Sequence, residues 1–145
     1  FLKKYSTYNA KSETAGTSST FKSAVKEGRR CLIPITAFRE FQHRNNGKLK
    51  VPFDIKHAGE DVMCLLGLYN DASYTILTTE APAGSLMAEI HNSKLRQPCI
   101  VDRAFERDWL SPNLSEEDVK RFCEASHEVE LVATTDYVEH QPTLF

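Results

Sequence analysis

Val62-Met63-Cys64-Leu65-Leu66-Gly67-Leu68-Tyr69 is followed by Asn70-Asp71-Ala72-Ser73 and then by Tyr74-Thr75-Ile76-Leu77-Thr78-Thr79. The first segment is almost continuously apolar. It is short and carries Gly67, so a buried strand is expected rather than a helix. The second is a cluster of turn formers. The third is rich in β-branched residues, so the two runs are expected to pair as a hairpin.

Upstream, Asn45-Asn46-Gly47 is another turn signal. It separates a predicted strand over 37–42, where Phe38, Glu40 and Gln42 alternate with Arg39 and Phe41, from a returning strand over 51–56. Cys31-Leu32-Ile33-Pro34-Ile35 is an apolar run that Pro34 confines to an edge or interrupted strand. Residues 12–27 read as a helix with a loose start, with Phe21, Ala24 and Val25 at helical spacing and Gly28 just past its end.

Downstream, Leu86, Met87 and Ile90 predict a short helix ending near His91. Cys99-Ile100-Val101 reads as a strand, and Asp102 can cap a helix reaching Leu110. Ser115 followed by Glu116-Glu117-Asp118 opens a helix to about Ala125, its acidic first turn suited to the helix dipole. Residues 129–133 form the last predicted strand, and signals are weak after Thr134. The fold class is α+β: a mixed, largely antiparallel, barrel-like sheet with peripheral helices.

The bulk numbers suit one domain spanning 1–145. Hydrophobic residues make up 41% and charged residues 26%, an ordinary globular balance. The net charge of −2 and a pI of about 6.2 select no particular partner, so any nucleic-acid binding must come from a local basic patch. Cys31, Cys64, Cys99 and Cys123 form no CxxC pair and no zinc spacing. They are expected to be reduced structural thiols, with Cys31, Cys64 and Cys99 buried. No run of about 18 apolar residues is present, so no membrane span is expected. Phe1-Leu2-Lys3-Lys4-Tyr5 is not a signal peptide.

Four segments, in order, carry a resemblance. They are Asn9-Ala10-Lys11-Ser12-Glu13-Thr14; Arg30-Cys31-Leu32-Ile33-Pro34 with Ala37-Phe38-Arg39-Glu40-Phe41; Tyr74-Thr75-Ile76-Leu77-Thr78-Thr79-Glu80-Ala81; and Leu86-Met87-Ala88-Glu89-Ile90-His91-Asn92 with Arg96-Gln97-Pro98. Together they resemble the motifs N-A-R-x-E-T, R-C-L-I-P-x-x-G-F-Y-E-W, F-T-I-L-T-T-x-A and L-M-x-x-I-H-[ND]-R-M-P of the SOS response-associated peptidase (SRAP) family.

The resemblance implies capture of abasic sites in single-stranded DNA. In the family, the Cys exposed by removal of the initiator Met uses its α-amine to form a Schiff base with the ring-opened aldehyde. Its thiol then closes a stable thiazolidine crosslink. The same exposure of that Cys underlies the peptidase name. This chain starts at Phe1 and is expected to lack the family's N-terminal region with that nucleophile. Three supporting residues carry over. Asn9 matches the Asn that positions the amine. Glu40 matches the Glu that moves protons near the nascent Schiff base. Its phenylalanine neighbours suggest an apolar setting, which raises a carboxyl pKa. His91 matches the His that assists opening of the sugar, a role suited to a group titrating near neutrality. Lys11 and Arg96 are candidate phosphate contacts, and Phe41 a candidate base-stacking residue.

Read without the family, each residue has an ordinary alternative. Asn9 is a turn or cap residue, Glu40 a solvated strand carboxylate, and His91 a helix-terminal His facing a carbonyl. Lys11 and Arg96 are surface charges, and Phe41 packs in the core. Lys11, Phe41 and Arg39 replace the family's Arg, Trp and Tyr, and Ser93-Lys94-Leu95 lengthens the last motif. These departures leave open a second function, a catalytically silent single-stranded nucleic-acid binding module. Expected besides are no cofactor, no metal, no membrane partner, a monomeric state and a cytoplasmic location.

Overall fold

The computed structural model describes residues 7–138. The Phe1-to-Tyr5 stretch, together with the two ends of the predicted domain, lies outside them.

The central hairpin forms as its sequence predicts. Strands β5 (Met63–Tyr69) and β6 (Tyr74–Glu80) pair antiparallel through Gly67–Ile76, Leu68–Thr75 and Tyr69–Tyr74. Beyond these pairs the two strands diverge, and a segment from far downstream fills the gap. Within it, β7 (Arg96–Pro98) pairs with β6 and β8 (Ile100–Val101) pairs with β5. Between them, the Cys99 N–H donates to Leu77 O and the Leu66 N–H donates to Cys99 O, both at 2.8 Å. Strand β2 (Arg30–Ile35) adds antiparallel to β5 and forms one edge, which is where Pro34 is tolerated. Strand β1 (Asn9–Lys11) adds parallel to β6 on the other side.

A second sheet has the order β3 (Phe38–Arg44), β4 (Leu49–His57), β9 (Leu131–Thr134), all antiparallel. Its β3–β4 turn places Asn45, Asn46 and Gly47 at positive φ (50°, 55° and 81°), which Asn and Gly accept most readily. The class is therefore α+β with mixed sheets, as expected. The barrel-like element of that expectation is corrected: two separate sheets stack, and no closed barrel forms among the described residues.

Both faces of β5 are covered, which explains its unbroken apolar run. Leu66, Leu68 and Leu77 pack with Val25 of α1 (Lys22–Lys26), with Trp109 at the end of α3 (Glu106–Trp109), and with Val119 and Cys123 of α4 (Glu116–Ala125). Met63 and Leu65 face the other way, toward Ile33, Ile76, Phe38 and Leu131. Phe38 continues into a cluster of Ile55, Ala81, Met87 and Ile90, the last two from α2 (Leu86–Ile90). The sole tryptophan, fully buried, donates its Nε1–H to Cys31 O at 3.0 Å and meets the edge of Phe122.

Several local signals are met. Ser115 and Asp118 make a reciprocal capping box at the start of α4, and Gly28 has φ 68° just past α1. The helix expected over 12–27 is shorter, only Lys22–Lys26. The Ser/Thr-rich stretch before it folds as turns, with Thr17 Oγ1 donating to Thr14 O and the Thr20 N–H donating to Ser18 Oγ. Such side chains compete with helical hydrogen bonding. Asp102 caps as expected, but it opens a 3-10 turn, Arg103–Phe105, before the single turn of α3.

Candidate functional site

The site forms where α2 meets the free edge of β3. Two side chains fasten that junction. The Gln42 amide donates to Glu89 O at 3.1 Å. Asn92 accepts from the His43 N–H through Oδ1 and donates to His43 O through Nδ2, both at 2.9 Å. Its amide thus imitates a neighbouring strand at the one edge of β3 that β4 leaves open.

This junction fixes His91 beside Glu40. Alternation along β3 turns Phe38, Glu40 and Gln42 inward, where they are half-buried, and Arg39 and Phe41 outward. His91 Nε2 lies 3.9 Å from Glu40 Oε2, with the side chains 18% and 29% exposed. The other ring nitrogen, Nδ1, lies 2.9 Å from Arg96 O. A carbonyl only accepts, so Nδ1 carries a proton and donates it. In the neutral ring, Nε2 is then a lone pair turned toward the Glu40 carboxyl. A proton can be held at either group, and the separation leaves room for a small adjustment or a substrate atom. The ordinary alternative for His91, a ring facing a carbonyl, therefore holds at one nitrogen while the other faces the acid.

The remaining predicted residues are placed differently. Asn9 is exposed and registers with Ile76 on β6, which puts it on the sheet face that packs toward Phe38. No hydrogen bond joins its side chain to Glu40 or His91 among the described residues. Lys11 is exposed on the same side of β1 and enters no ion pair among the described residues. Phe41 is 44% exposed, so it is not a core residue, but it projects from the opposite face of β3 to Glu40.

Arg96 is not a free surface charge. Its guanidinium pairs with both Glu13 oxygens at 2.8 and 3.0 Å, and it also donates to Thr78 O and Thr78 Oγ1 at 2.7 and 3.0 Å. Glu13 Oε1 in turn accepts the Glu80 N–H at 3.1 Å. Partial burial pushes the Glu13 carboxyl up, but the Arg96 guanidinium and the backbone donors outweigh it and hold the group below its ordinary value. Sequence reasoning quoted Glu13 and Thr78 within motifs without giving them a role. Glu13 and Arg96 stand in different motifs, 83 positions apart, and no local signal pairs them.

The cysteines are free thiols. Cys99 and Cys123 are buried, whereas Cys31 and Cys64 are only partly so, which corrects the expectation for those two. Burial pushes the Cys31 thiol up, and burial followed by the nearby Glu106 pushes Cys64 to about 11. Burial, and after it the neighbouring Cys123, push Cys99 well above its ordinary value. These three are held away from the thiolate form that a nucleophile needs. No helix of the described residues is long and apolar enough to cross a membrane.

Comparison with known proteins bears on the whole arrangement. No curated protein matches the chain. A structural-genomics crystal structure from Bacteroides thetaiotaomicron is similar at TM-score 0.75 and 24% identity, covering 88% of this chain and 58% of that one. A second, from Bordetella bronchiseptica, is similar at TM-score 0.75 and 28% identity, covering 93% and 67%. A phage-related protein from the same organism matches at TM-score 0.64 and 19% identity, covering 87% and 62%. This chain thus spans rather more than half the length of the structures it resembles. The family model for SOS response associated peptidase (SRAP) matches residues 2–140, and the chain belongs to that family.

Proposed function

We propose that Glu40 and His91 form the proton-transfer centre of a protein that captures abasic sites in single-stranded DNA. The observation that carries this reading is the Glu40–His91 pair, with Nε2 and Oε2 3.9 Å apart and Nδ1 committed elsewhere. Opening the abasic sugar requires a proton to leave its hydroxyl and one to reach the ring oxygen. Forming the Schiff base requires loss of water from the amine–aldehyde adduct. Each step needs a group that can give or take a proton within hydrogen-bond reach. The His91 lone pair and the Glu40 carboxyl supply two such groups side by side. Asn9, on the facing sheet, orients the amine. Lys11 contacts a phosphate, and Phe41 meets a flanking base outside the immediate site. Arg96, occupied by Glu13, acts as a structural support and not as a phosphate ligand.

The covalent bond needs an N-terminal Cys. None of Cys31, Cys64, Cys99 and Cys123 has a free α-amine, and an unperturbed lysine, with a pKa of about 10.4, is almost entirely protonated at neutral pH. In this reading crosslinking requires a form of the protein that bears such a Cys, exposed by peptidase-like removal of the Met before it. Residues 1–145 supply the fold and the proton pair. The test is a denaturing gel with an abasic oligonucleotide. A protein carrying an N-terminal Cys should give a heat-stable crosslink, and the 145-residue chain should not. Efficient crosslinking by the 145-residue chain would place the nucleophile inside it and overturn the proposal. Binding without crosslinking by the protein carrying an N-terminal Cys would favour the silent binding module instead.

A further inference from the structure

We infer that Glu13 is a positioning residue that, by clamping Arg96, holds His91 in the tautomer with its proton on Nδ1. Two acceptors flank the His91 ring, Arg96 O at 2.9 Å from Nδ1 and the Glu40 carboxyl at 3.9 Å from Nε2. A neutral imidazole has one N–H for both. A carboxylate is the stronger acceptor, so a loosely held ring would turn its proton toward Glu40. The lone pair would then be lost from the side facing that acid. Keeping the lone pair there requires Arg96 O to stay close and correctly aimed.

The surroundings of Arg96 do this. Its guanidinium is fixed by both oxygens of Glu13 and by the carbonyl and hydroxyl of Thr78. Its side chain is 13% exposed, so little water competes for those bonds. Glu13 is itself anchored to the sheet by the Glu80 N–H. On the other side, the chain turns sharply from His91 to Arg96. The Leu95 N–H donates to His91 O at 2.8 Å, and Leu95 adopts φ 53°, a left-handed conformation that a leucine rarely takes. The Ala81 N–H holds Leu95 O at 2.8 Å. A strained residue immediately before Arg96 persists only where its neighbours determine it. The clamp on Arg96 and the turn through Leu95 therefore act together to aim one carbonyl at Nδ1. Glu13 touches no reacting group; it acts through Arg96.

The inference rests on the proposed Glu40–His91 centre only for the purpose of the held lone pair. Its test uses no DNA, so the two can fail separately. The tautomer is read from the imidazole nitrogen shifts of His91 in isotope-labelled protein above its titration, with the signal assigned by its loss in His91→Gln. The wild-type chain should show a protonated Nδ1 and a bare Nε2, and Glu13→Asp should retain that pattern. In Glu13→Gln, which loses the charge that fixes Arg96, the proton should redistribute toward Nε2. Should Glu13→Gln not fold, Arg96→Lys takes its place. A lysine cannot grip Glu13 and Thr78 together, and the same redistribution is expected. A wild-type His91 protonated on Nε2 overturns the inference at once. So does an unchanged Nδ1–H tautomer in folded Glu13→Gln or Arg96→Lys.

Discussion

Two arginines have left the surface of this protein, and they do so in different company. Arg30, 5% exposed, enters no ion pair among the described residues. Its guanidinium donates to Trp109 O at 3.0 Å and to Ser111 O, and lies 5.7 Å from the centre of the Trp109 ring. Arg96 has Glu13, and its own backbone carbonyl receives the His91 ring proton. Arg30 ties β2 to the end of α3 by filling carbonyls that no helix bond satisfies. Arg96, on β7, ties the turn after β1 to β6 and turns its carbonyl toward the candidate site. Substitutions around the first should register chiefly as stability, and substitutions around the second as behaviour of the site.

The largest expected effect is at the Arg30 end. Trp109→Ala should destabilise the fold by about 3–5 kcal/mol, the range for emptying a buried aromatic position. Urea unfolding followed by circular dichroism measures it, since this variant loses the only tryptophan. A loss within the range of a surface substitution would break the comparison there. Next, Arg30→Met should cost about 1–3 kcal/mol, because the Trp109 and Ser111 carbonyls lose their donor while the apolar packing is retained. The shift in urea midpoint, read from Trp109 fluorescence, checks it.

Smallest in stability is Glu13→Gln. The Glu13 side chain is 40% exposed, so solvent screening limits the loss to about 1 kcal/mol or less. Its pH dependence sharpens the contrast. The folded-state carboxyl lies below its ordinary value of 4.5, so its contribution is complete above that value and is lost as pH falls through the lower folded-state value. Wild type and Glu13→Gln should therefore differ near neutrality and converge in acid. Urea midpoints across that span report it, and a gap that widens in acid would contradict the assigned partner.

The two regions also differ in how far the sequence disclosed them. The 62–79 hairpin, the Asn45-Asn46-Gly47 turn and the Ser115 cap were legible because each is written in adjacent residues. The pairing of Arg96 with Glu13 spans 83 positions and leaves no local period. Three-residue β1 carries too little pattern to separate it from the start of a helix. Nor did Cys99-Ile100-Val101 announce that it would enter between the two strands of another hairpin. For the site, motif resemblance pointed to Glu40 and His91, which the fold brings together. Strand alternation alone could have shown that Phe41 leaves on the other face. The environment of Arg96 depended on a partner that only tertiary structure supplies.

The most direct measurement is single-turnover crosslinking to an abasic single strand. It compares the protein bearing an N-terminal Cys with its Glu40→Gln, His91→Asn and double variants, with DNA affinity recorded in parallel. If the pair works as one proton-transfer unit, each single change slows crosslinking by about 10²–10⁴. The double variant is then little slower than the worse single, and affinity hardly moves. Rates unchanged by either substitution, or losses that multiply in the double variant, would contradict the assignment of Glu40 and His91 to one centre.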